Sequence, residues 1–343
     1  MIVILTIIWL MYMFYRTKKA LHMLQQNLYD DDFRYIKWIK NNFNKVMLSF
    51  HLSQVFLIFF ILFVKKGVII PVMFGIIYSL LFIYSFGISH KEIIKKLSLE
   101  IIDNDICGII GKSGSGKTTF LELIDGLLKP TTGNILVNDI DVSKNTSAVR
   151  KEIGFVFQSP EEQFFEVNVK KEIEYALKNF KMSKNKASNA LKLVGLDESY
   201  LNKSLNSLSN GEKRLVAIAS ILIYNPKIIM FDEPTIGLDY KNKKKIINLI
   251  RLLKNRYKKT IIIVSHDVDL LYELCDNIII LDNGKLILYG DPISVFKEDK
   301  LIKKYNIETP KIVTFSSLAR DKGIKLIDRK NINDLIKEVY RNV

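Results

Sequence analysis

Residues 111–118, Gly-Lys-Ser-Gly-Ser-Gly-Lys-Thr, decide the fold of this chain. They fit the phosphate-loop pattern G-x-x-x-x-G-K-[ST], between an apolar run at 106–110 and a predicted helix over 119–128. Glycines let the chain wrap round phosphate oxygens with its N–H groups pointing inward, and the helix start adds partial positive charge. We expect Lys117 to reach the β- and γ-phosphates and the Thr118 hydroxyl to ligate Mg²⁺. The predicted nucleotide contacts in this loop are Gly111, Lys112, Ser113, Gly114, Ser115, Gly116, Lys117, Thr118 and Thr119.

A second motif places two acids at the end of an apolar strand. Residues 227–235 read Lys-Ile-Ile-Met-Phe-Asp-Glu-Pro-Thr, and ligands of open α/β folds bind at that edge of the sheet. Asp232 is suited to hold Mg²⁺ and Glu233 to orient and deprotonate the attacking water, because one carboxylate cannot serve both purposes. The alternative is structural: Asp232 caps a helix whose first turn contains Glu233.

The composition leaves the choice of partner open. The chain has 343 residues, 48% of them hydrophobic, and a formal net charge of +15. That charge fits an anionic partner (nucleic acid, an anionic membrane face or phosphates), and it equally fits a lysine-rich compositional bias. Cys107 and Cys275 lack metal-binding spacing and lie in apolar runs, so we expect reduced thiols in the core.

The first quarter of the chain contains three apolar stretches, at 1–15, 46–64 and 68–86. The second and third approach the length that spans a bilayer, whereas the first is short. A cleavable signal peptide is not expected, because basic residues follow the first stretch. The basic loop before 46–64 favours a cytoplasmic location for itself and for the chain after 86. We predict a hydrophobic helical region over 1–83 with two or three transmembrane segments; a soluble helix hairpin is the alternative.

From residue 87 onward the pattern changes to that of an α/β domain. Short runs rich in β-branched residues alternate with helical stretches. Several runs are almost entirely apolar, which is typical of strands covered on both faces of a mainly parallel sheet. The predicted strands are IIKKLSLEII, ICGIIG, NILVND, IGFVFQ, KIIMFDEP, TIIIVSHD, NIIILDNG and KLILYG.

Further motifs give the chain a family resemblance. Residues 208–212, Leu-Ser-Asn-Gly-Glu, resemble the LSGGQ signature of ABC ATPases and precede the acidic strand end, as they do in that family. Gln158 matches the Q-loop glutamine, residues 237–239 (Gly-Leu-Asp) resemble the D-loop, and His266 matches the switch histidine. These motifs follow the family's order and spacing from roughly residue 87 to the end of the chain.

The resemblance implies a P-loop ABC ATPase domain, with a mixed sheet core and a helical subdomain, that binds ATP and Mg²⁺. Two such domains meet head to tail in the family, with two ATP molecules between them. Ser209 and the N–H groups around Gly211 would contact the γ-phosphate held by the partner's Lys117, and His266 would contact it within the chain. The implied catalytic residues are Glu233, His266 and Gln158, the metal ligands are Thr118, Gln158 and Asp232, and the signature and dimer contacts are Ser209, Asn210, Gly211, Glu212 and Asp239.

Two signature residues depart from the family pattern. Asn210 replaces the second glycine and Glu212 replaces the glutamine. Asn tolerates positive φ better than most residues, so we expect the loop to form. We expect a competent site, and a reduced rate is compatible with these changes.

The resemblance also implies an aromatic side chain stacked on the adenine, ahead of the phosphate loop. Phe86 is the best match and Tyr84 the second. Both lie at the end of the third apolar stretch, so packing in a core or a membrane is the alternative role for Phe86.

Two segments resemble the energy-coupling factor (ECF) type of transporter ATPase. Residues 158–166 resemble its Q-helix segment, whose second glutamine matches Gln163, and residues 305–310 and 325–343 resemble its C-terminal extension, which contributes to ATPase pairing. The resemblance implies uptake of vitamins or metal ions at the cytoplasmic face of the cell membrane. It implies as partners a second ATPase subunit, identical or related, a transmembrane coupling subunit and a substrate-binding membrane subunit. The expected ATPase domain is 84–300 and the extension 301–343.

Three other functions are weighed against this one. The first is another kind of ABC transporter. The second is a soluble-type ABC ATPase acting on nucleic acid or ribosomes, which the net charge favours; the single nucleotide domain and the short spacing from Thr118 to Ser209 disfavour it, so no nucleic-acid partner is expected. The third is a non-catalytic adaptor, against which the intact Lys117, Asp232, Glu233 and His266 argue.

Overall fold

The computed structural model describes residues 93–179, 187–324 and 326–342. The predicted membrane segments within 1–83, the third apolar stretch to 86, and the aromatics Tyr84 and Phe86 lie outside these residues. None of the helices in the described ranges is both long enough and apolar enough to cross a membrane.

A six-stranded mixed sheet forms the centre of the described part. The strands are β1 (Ile106–Ile110), β2 (Leu136–Val137), β3 (Ile140–Asp141), β4 (Ile153–Val156), β5 (Ile228–Asp232), β6 (Thr260–Val264), β7 (Asn277–Asp282) and β8 (Lys285–Gly290). The sheet has the order β4-β5-β6-β1-β7-β8, and β2 pairs with β3 separately. All neighbours in the large sheet are parallel except β7 and β8. The predicted α/β fold with a mixed sheet is confirmed.

Helices cover both faces of the sheet and continue into the C-terminal tail. They are α1 (Lys117–Asp125), α2 (Thr146–Glu152), α3 (Val169–Asn179), α4 (Ala187–Leu193), α5 (Asn210–Leu222), α6 (Tyr240–Asn255), α7 (Val268–Leu274), α8 (Pro292–Lys297), α9 (Asp299–Lys304), α10 (Lys311–Asp321) and α11 (Ile332–Asn342). The chain forms a helical layer beside the sheet between β4 and β5. This layer consists of α3, α4 and α5, which follow one another in sequence.

The alternation of side chains along β1 explains why its run is apolar throughout. Ile106 and Ile110 belong to one buried cluster, and Cys107 and Ile109 belong to another. Successive side chains of a strand point to opposite faces, so both faces of this strand are covered. Cys107 and Cys275 are buried, as predicted, and burial raises the pKa of the Cys107 thiol to about 12.

The run at 93–102 differs from its prediction as a strand. Its side chains alternate between half-buried and exposed positions from 95 to 102, yet the segment is not a strand of either sheet in the described part. It is held instead at separate points: the Lys95 N–H donates to the Gly284 carbonyl at 2.7 Å, and the Tyr289 hydroxyl donates to the Glu100 carbonyl at 2.8 Å. The prediction of a strand at 93–102 is therefore wrong, because a strand also needs a neighbouring strand edge with which to form a ladder of hydrogen bonds.

The C-terminal tail shares the core of the rest of the domain. Phe296, Ile302, Ile312 and Leu335 are buried in the same cluster as the strands of the sheet. Residues Glu92–Val343 form one compact unit. The boundary between residues 300 and 301 stays a prediction, and it falls inside α9.

Candidate nucleotide site

The phosphate loop joins the end of β1 to the first turn of α1. Gly116 caps α1 with φ 102°, a left-handed conformation that favours glycine. A Cβ on Gly111 would lie 2.3 Å from the Leu281 carbonyl oxygen, so only glycine fits there. The loop therefore presents backbone N–H groups and a helix start at one concave place, which is the arrangement that binds phosphate.

Lys117 places a buried positive charge in this loop. It is buried, and its ammonium donates to the carbonyl oxygens of Gly111 at 2.8 Å and Lys112 at 3.0 Å. Burial lowers the pKa of Lys117, while Glu233 and Asp232 oppose that shift. The Ser115 hydroxyl is also buried, and it has no hydrogen-bond partner among the described residues. A buried ammonium and an unpaired buried donor beside a glycine loop fit the phosphates of a nucleotide.

Thr118 and Asp232, two of the predicted metal ligands, contact each other directly. The Thr118 hydroxyl donates to Asp232 Oδ2 at 2.9 Å. Asp232 ends β5 and is buried, and burial raises its pKa while the Thr118 hydrogen bond and Lys117 act against that rise. A hydroxyl and a carboxylate are hard oxygen ligands of the type that Mg²⁺ prefers with substrate phosphates.

Gln158 reaches the same edge of the sheet from the neighbouring strand. Gln158 lies two residues after the end of β4, with Phe157 between them, and its side chain is exposed. Since β4 and β5 run parallel with Val156 opposite Phe231, their carboxyl ends meet. The described residues contain no group of three or more His, Cys, Asp or Glu side chains that could hold a metal. The side-chain oxygens of Thr118, Asp232 and Gln158 at this edge are of the type that fits a magnesium ion also bound by phosphate oxygens.

Glu233 is held next to His266 in an unusual backbone conformation. Its φ is 49°, and its N–H donates to the Val264 carbonyl at 2.9 Å. Glu233 Oε2 accepts from the Ser265 hydroxyl and the His266 N–H, each at 3.4 Å, and His266 Nε2 lies 3.5 Å from Oε1. Burial raises the pKa of Glu233, an effect that His266 opposes. A buried carboxylate next to an exposed imidazole can accept a proton from water.

The capping alternative for the two acids is wrong. The helix after β5 is α6, and its cap is Asp239, whose Oδ1 accepts from the Asn242 N–H at 2.8 Å. Asp232 and Glu233 both precede that helix by several residues, and Asp232 is still part of the strand.

The signature segment, residues 208–212, forms the start of α5. Ser209 caps this helix, and Glu212 closes a capping box with it. The Ser209 N–H and hydroxyl each donate to Glu212 Oε2 at 2.8 Å, and the Tyr200 hydroxyl donates to Oε1 at 2.5 Å. These hydrogen bonds lower the pKa of Glu212 to about 2, and the bond from Tyr200 makes the largest contribution. Glu212 is therefore a carboxylate at neutral pH, and it holds the Ser209 hydroxyl.

Asn210 fits the signature for a reason other than the predicted one. It is the first residue of α5 and does not have a positive φ, so the tolerance of Asn for that region is not needed. Gly211 packs closely against the start of α6, because a Cβ there would lie 2.8 Å from the Asn242 side chain, which would have to move. Asn242 Nδ2 in turn donates to Asp239 Oδ2 at 2.8 Å. The signature segment and the D-loop thus meet within one chain through Asn242.

Gln163 contacts the signature helix. Its Nε2 donates to the Ala217 carbonyl at 2.8 Å and to the Ser220 hydroxyl at 3.1 Å, both on α5. Nearby, Lys213 and Glu161 form an ion pair at 2.7 Å. The segment after Gln158 is therefore fixed to α5.

Three residues at the site were not found from the sequence: Tyr200, Arg214 and Asn242. Arg214 had one available signal, since it is a charged residue in a helix whose neighbouring positions are apolar. Tyr200 and Asn242 had none, because a tyrosine near a capping box and an asparagine in a first helical turn are ordinary surface features.

Comparisons with known proteins agree with this geometry. Residues 94–236 match the family model for the ABC transporter. The energy-coupling factor transporter ATP-binding protein EcfA2 of Clostridium perfringens is 37% identical over 265 residues, which are 74% of this chain and 93% of that protein.

Two solved structures resemble the described fold. The structure of cbiO1 from Clostridium perfringens, part of the ABC transporter complex cbiONQ, is 33% identical with a TM-score of 0.56, covering 66% of this chain and 92% of that one. A dimeric post-hydrolysis structure of the ATP-binding cassette MJ0796, bound to ADP and Pi, is 31% identical with a TM-score of 0.54, covering 58% of this chain and 90% of that one.

Proposed function

This chain belongs to the energy-coupling factor family of ABC transporter ATPases, and we propose that it drives uptake of a vitamin or a metal ion by closing on a second ATPase subunit at the cytoplasmic face of the membrane. The observation that carries the proposed chemistry is the contact of Thr118 with Asp232. It joins the phosphate loop to the acidic strand end, beside Lys117 and Glu233.

Each residue of the site has a distinct part in hydrolysis. Lys117 and the loop N–H groups bind the β- and γ-phosphates. Thr118, Asp232 and Gln158 would hold Mg²⁺, which when bound would neutralise charge on the phosphate oxygens. Glu233 orients a water molecule and accepts its proton at the carboxylate as the water oxygen bonds to the γ-phosphorus and ADP leaves. His266, whose Nε2 lies 3.5 Å from Glu233 Oε1, would contact the γ-phosphate next to that carboxylate.

The second subunit completes the site. Ser209 is exposed at the start of α5, while Gly211 lies buried against Asn242, so the helix start faces outward. A helix N-terminus that carries a hydroxyl is suited to bind a phosphate of another molecule. The dimeric cassette with ADP and Pi supports this arrangement. The second subunit is either a copy of this chain or a related ATPase.

Copurification tests the proposed partners. The full tagged chain, isolated from detergent-solubilised membranes, is expected to bring down a multi-span coupling subunit and a small substrate-binding membrane subunit, identified by mass spectrometry. The same procedure with untagged chain is the control. Recovery of nucleic acid or ribosomal proteins in place of membrane subunits would contradict the proposal.

Replacing Glu212 by glutamine is expected to make closure easier. A glutamine Oε1 still accepts from the Ser209 N–H, so the capping box survives, but the negative charge next to the partner's γ-phosphate is gone. The neutral amide oxygen also holds the Ser209 hydroxyl less strongly than the carboxylate does, so the hydroxyl is released to the phosphate more easily. Because hydrogen bonds to charged groups are strong, we expect the MgATP concentration for half-maximal turnover to fall by about tenfold.

The measurement is ATP turnover against MgATP concentration for the complete assembly. Tyr200→Phe is the matched control, because it removes one hydrogen bond to Glu212 but leaves the charge in place. An unchanged or increased half-saturating concentration in the Glu212→Gln protein would show that the carboxylate does not oppose ATP binding.

A further inference from the structure

Arg214 connects the signature helix to two other parts of the nucleotide site. It lies on α5, whose cap is Ser209, and its side chain is buried in a helix of mostly apolar residues. Its Nη1 donates to the Glu233 carbonyl oxygen at 2.5 Å, and its Nη2 donates to the Gln158 carbonyl oxygen at 2.7 Å. One guanidinium therefore holds the backbone of the general base and the backbone of a proposed magnesium ligand.

The contact with Glu233 acts on a strained peptide. A positive φ is costly for a residue with a Cβ, and it persists only where the surroundings fix it. The Glu233 N–H is fixed to the Val264 carbonyl at 2.9 Å, and its carbonyl oxygen accepts from Arg214 and also from the Ile236 N–H at 3.3 Å. Of the two donors to that oxygen, the guanidinium is closer and charged, so it makes the stronger bond.

Burial of the Arg214 guanidinium removes most of its charge from water, which costs free energy. Burial lowers the pKa of Arg214, and Glu161 and Glu233 counteract the shift by favouring the charged form. Its Nε is buried and has no hydrogen-bond partner among the described residues. An apolar side chain would avoid that cost, so packing alone does not account for an arginine here. A planar fork that reaches two carbonyl oxygens does account for it, and a lysine ammonium cannot reproduce that geometry.

We propose that Arg214 is a positioning residue for ATP hydrolysis, which fixes the backbones of Glu233 and Gln158 so that the Glu233 carboxylate lies correctly for the attacking water. The inference rests on the proposed role of Glu233 as the general base. It makes a different claim, however: Arg214 acts through Glu233 and does not itself touch the nucleotide.

The test is a double-mutant cycle with the complete assembly. The variants are Arg214→Lys, Glu233→Gln and the double variant, with kcat, KM for ATP, equilibrium MgATP binding and Tm measured for each. Because a small misplacement of a catalytic group is costly, Arg214→Lys is expected to lower kcat by about tenfold and to leave KM nearly unchanged. In the Glu233→Gln background the same change should lower the residual turnover far less, since no general base remains to be positioned.

Two further variants sharpen the test. Arg251→Lys is the matched control: Arg251 lies on α6, pairs with Glu273 at 2.7 Å, and is partly exposed. Its turnover should equal that of the unchanged protein. Arg214→Gln keeps a single donor group and should have a kcat no higher than that of the lysine variant.

Each outcome decides a separate claim. If Arg214→Lys lowers turnover by the same factor in both backgrounds, or if both Arg214 variants lose their melting transition, Arg214 has only a structural role and the inference is overturned. The inference also fails, while the function stands, if Arg214→Lys turns over normally and Glu233→Gln is inactive. If Glu233→Gln itself turns over normally, the fault lies in the role proposed for Glu233.

Discussion

Glu233→Gln protein is expected to bind MgATP as tightly as the unchanged protein and to lose most of its turnover, by about 10²–10³-fold. The amide is nearly the same size as the carboxylate, and its oxygen can still accept from the Ser265 hydroxyl and the His266 N–H, which now donate to Glu233 Oε2. What it lacks is a site for the proton of the attacking water. Without hydrolysis, the two subunits should stay closed on ATP.

The measurement pairs steady-state phosphate release with equilibrium nucleotide binding and with the size of the assembly in MgATP. Glu273→Gln is the matched control, because Glu273 is a partly exposed carboxylate paired with Arg251. That protein should hydrolyse ATP normally. Near-normal turnover of Glu233→Gln would contradict the assignment of Glu233 as the general base.

Lys117→Ala protein is expected to fail one step earlier, in binding the nucleotide. The ammonium of Lys117 is the buried cation of the phosphate loop, and a hydrogen bond between charged groups in a buried place is among the strongest a protein makes. We expect MgATP affinity to fall by about 100-fold, with turnover falling because the site is empty at ordinary ATP concentrations.

Binding can be measured by equilibrium dialysis or calorimetry. Lys129→Ala is the control, since Lys129 is an exposed lysine just beyond α1, and its protein should bind MgATP normally. Retained affinity in Lys117→Ala protein, together with lost turnover, would assign Lys117 to the chemical step in place of ground-state binding. The two variants therefore separate binding from chemistry in this site.

Much of the site could be predicted because its motifs are contiguous. The loop at 111–118 requires glycines at particular positions. In the run at 227–235, an apolar stretch is followed directly by two acidic residues, so the local sequence is enough to indicate both motifs. The order of the motifs then favoured an ABC ATPase, and residues 158–166 together with the C-terminal segments favoured the ECF type, which the similarity to EcfA2 confirms. The roles assigned to single residues remain predictions, and the predicted membrane segments and Phe86 lie outside the described residues.

The sequence by itself determined the local backbone: the phosphate loop, the buried strands and the acidic strand end. These depend on residues that are neighbours in the chain, whose conformational preferences act at short range. Only the tertiary structure decided that Arg214 holds the carbonyls of Glu233 and Gln158, that Tyr200 holds Glu212, and that 93–102 lacks a ladder. The Arg214 contacts exist because β4 pairs with β5 and α5 packs beside β4, and the Tyr200 contact exists because the chain before α5 folds back on the start of that helix. No single stretch of sequence contains that arrangement.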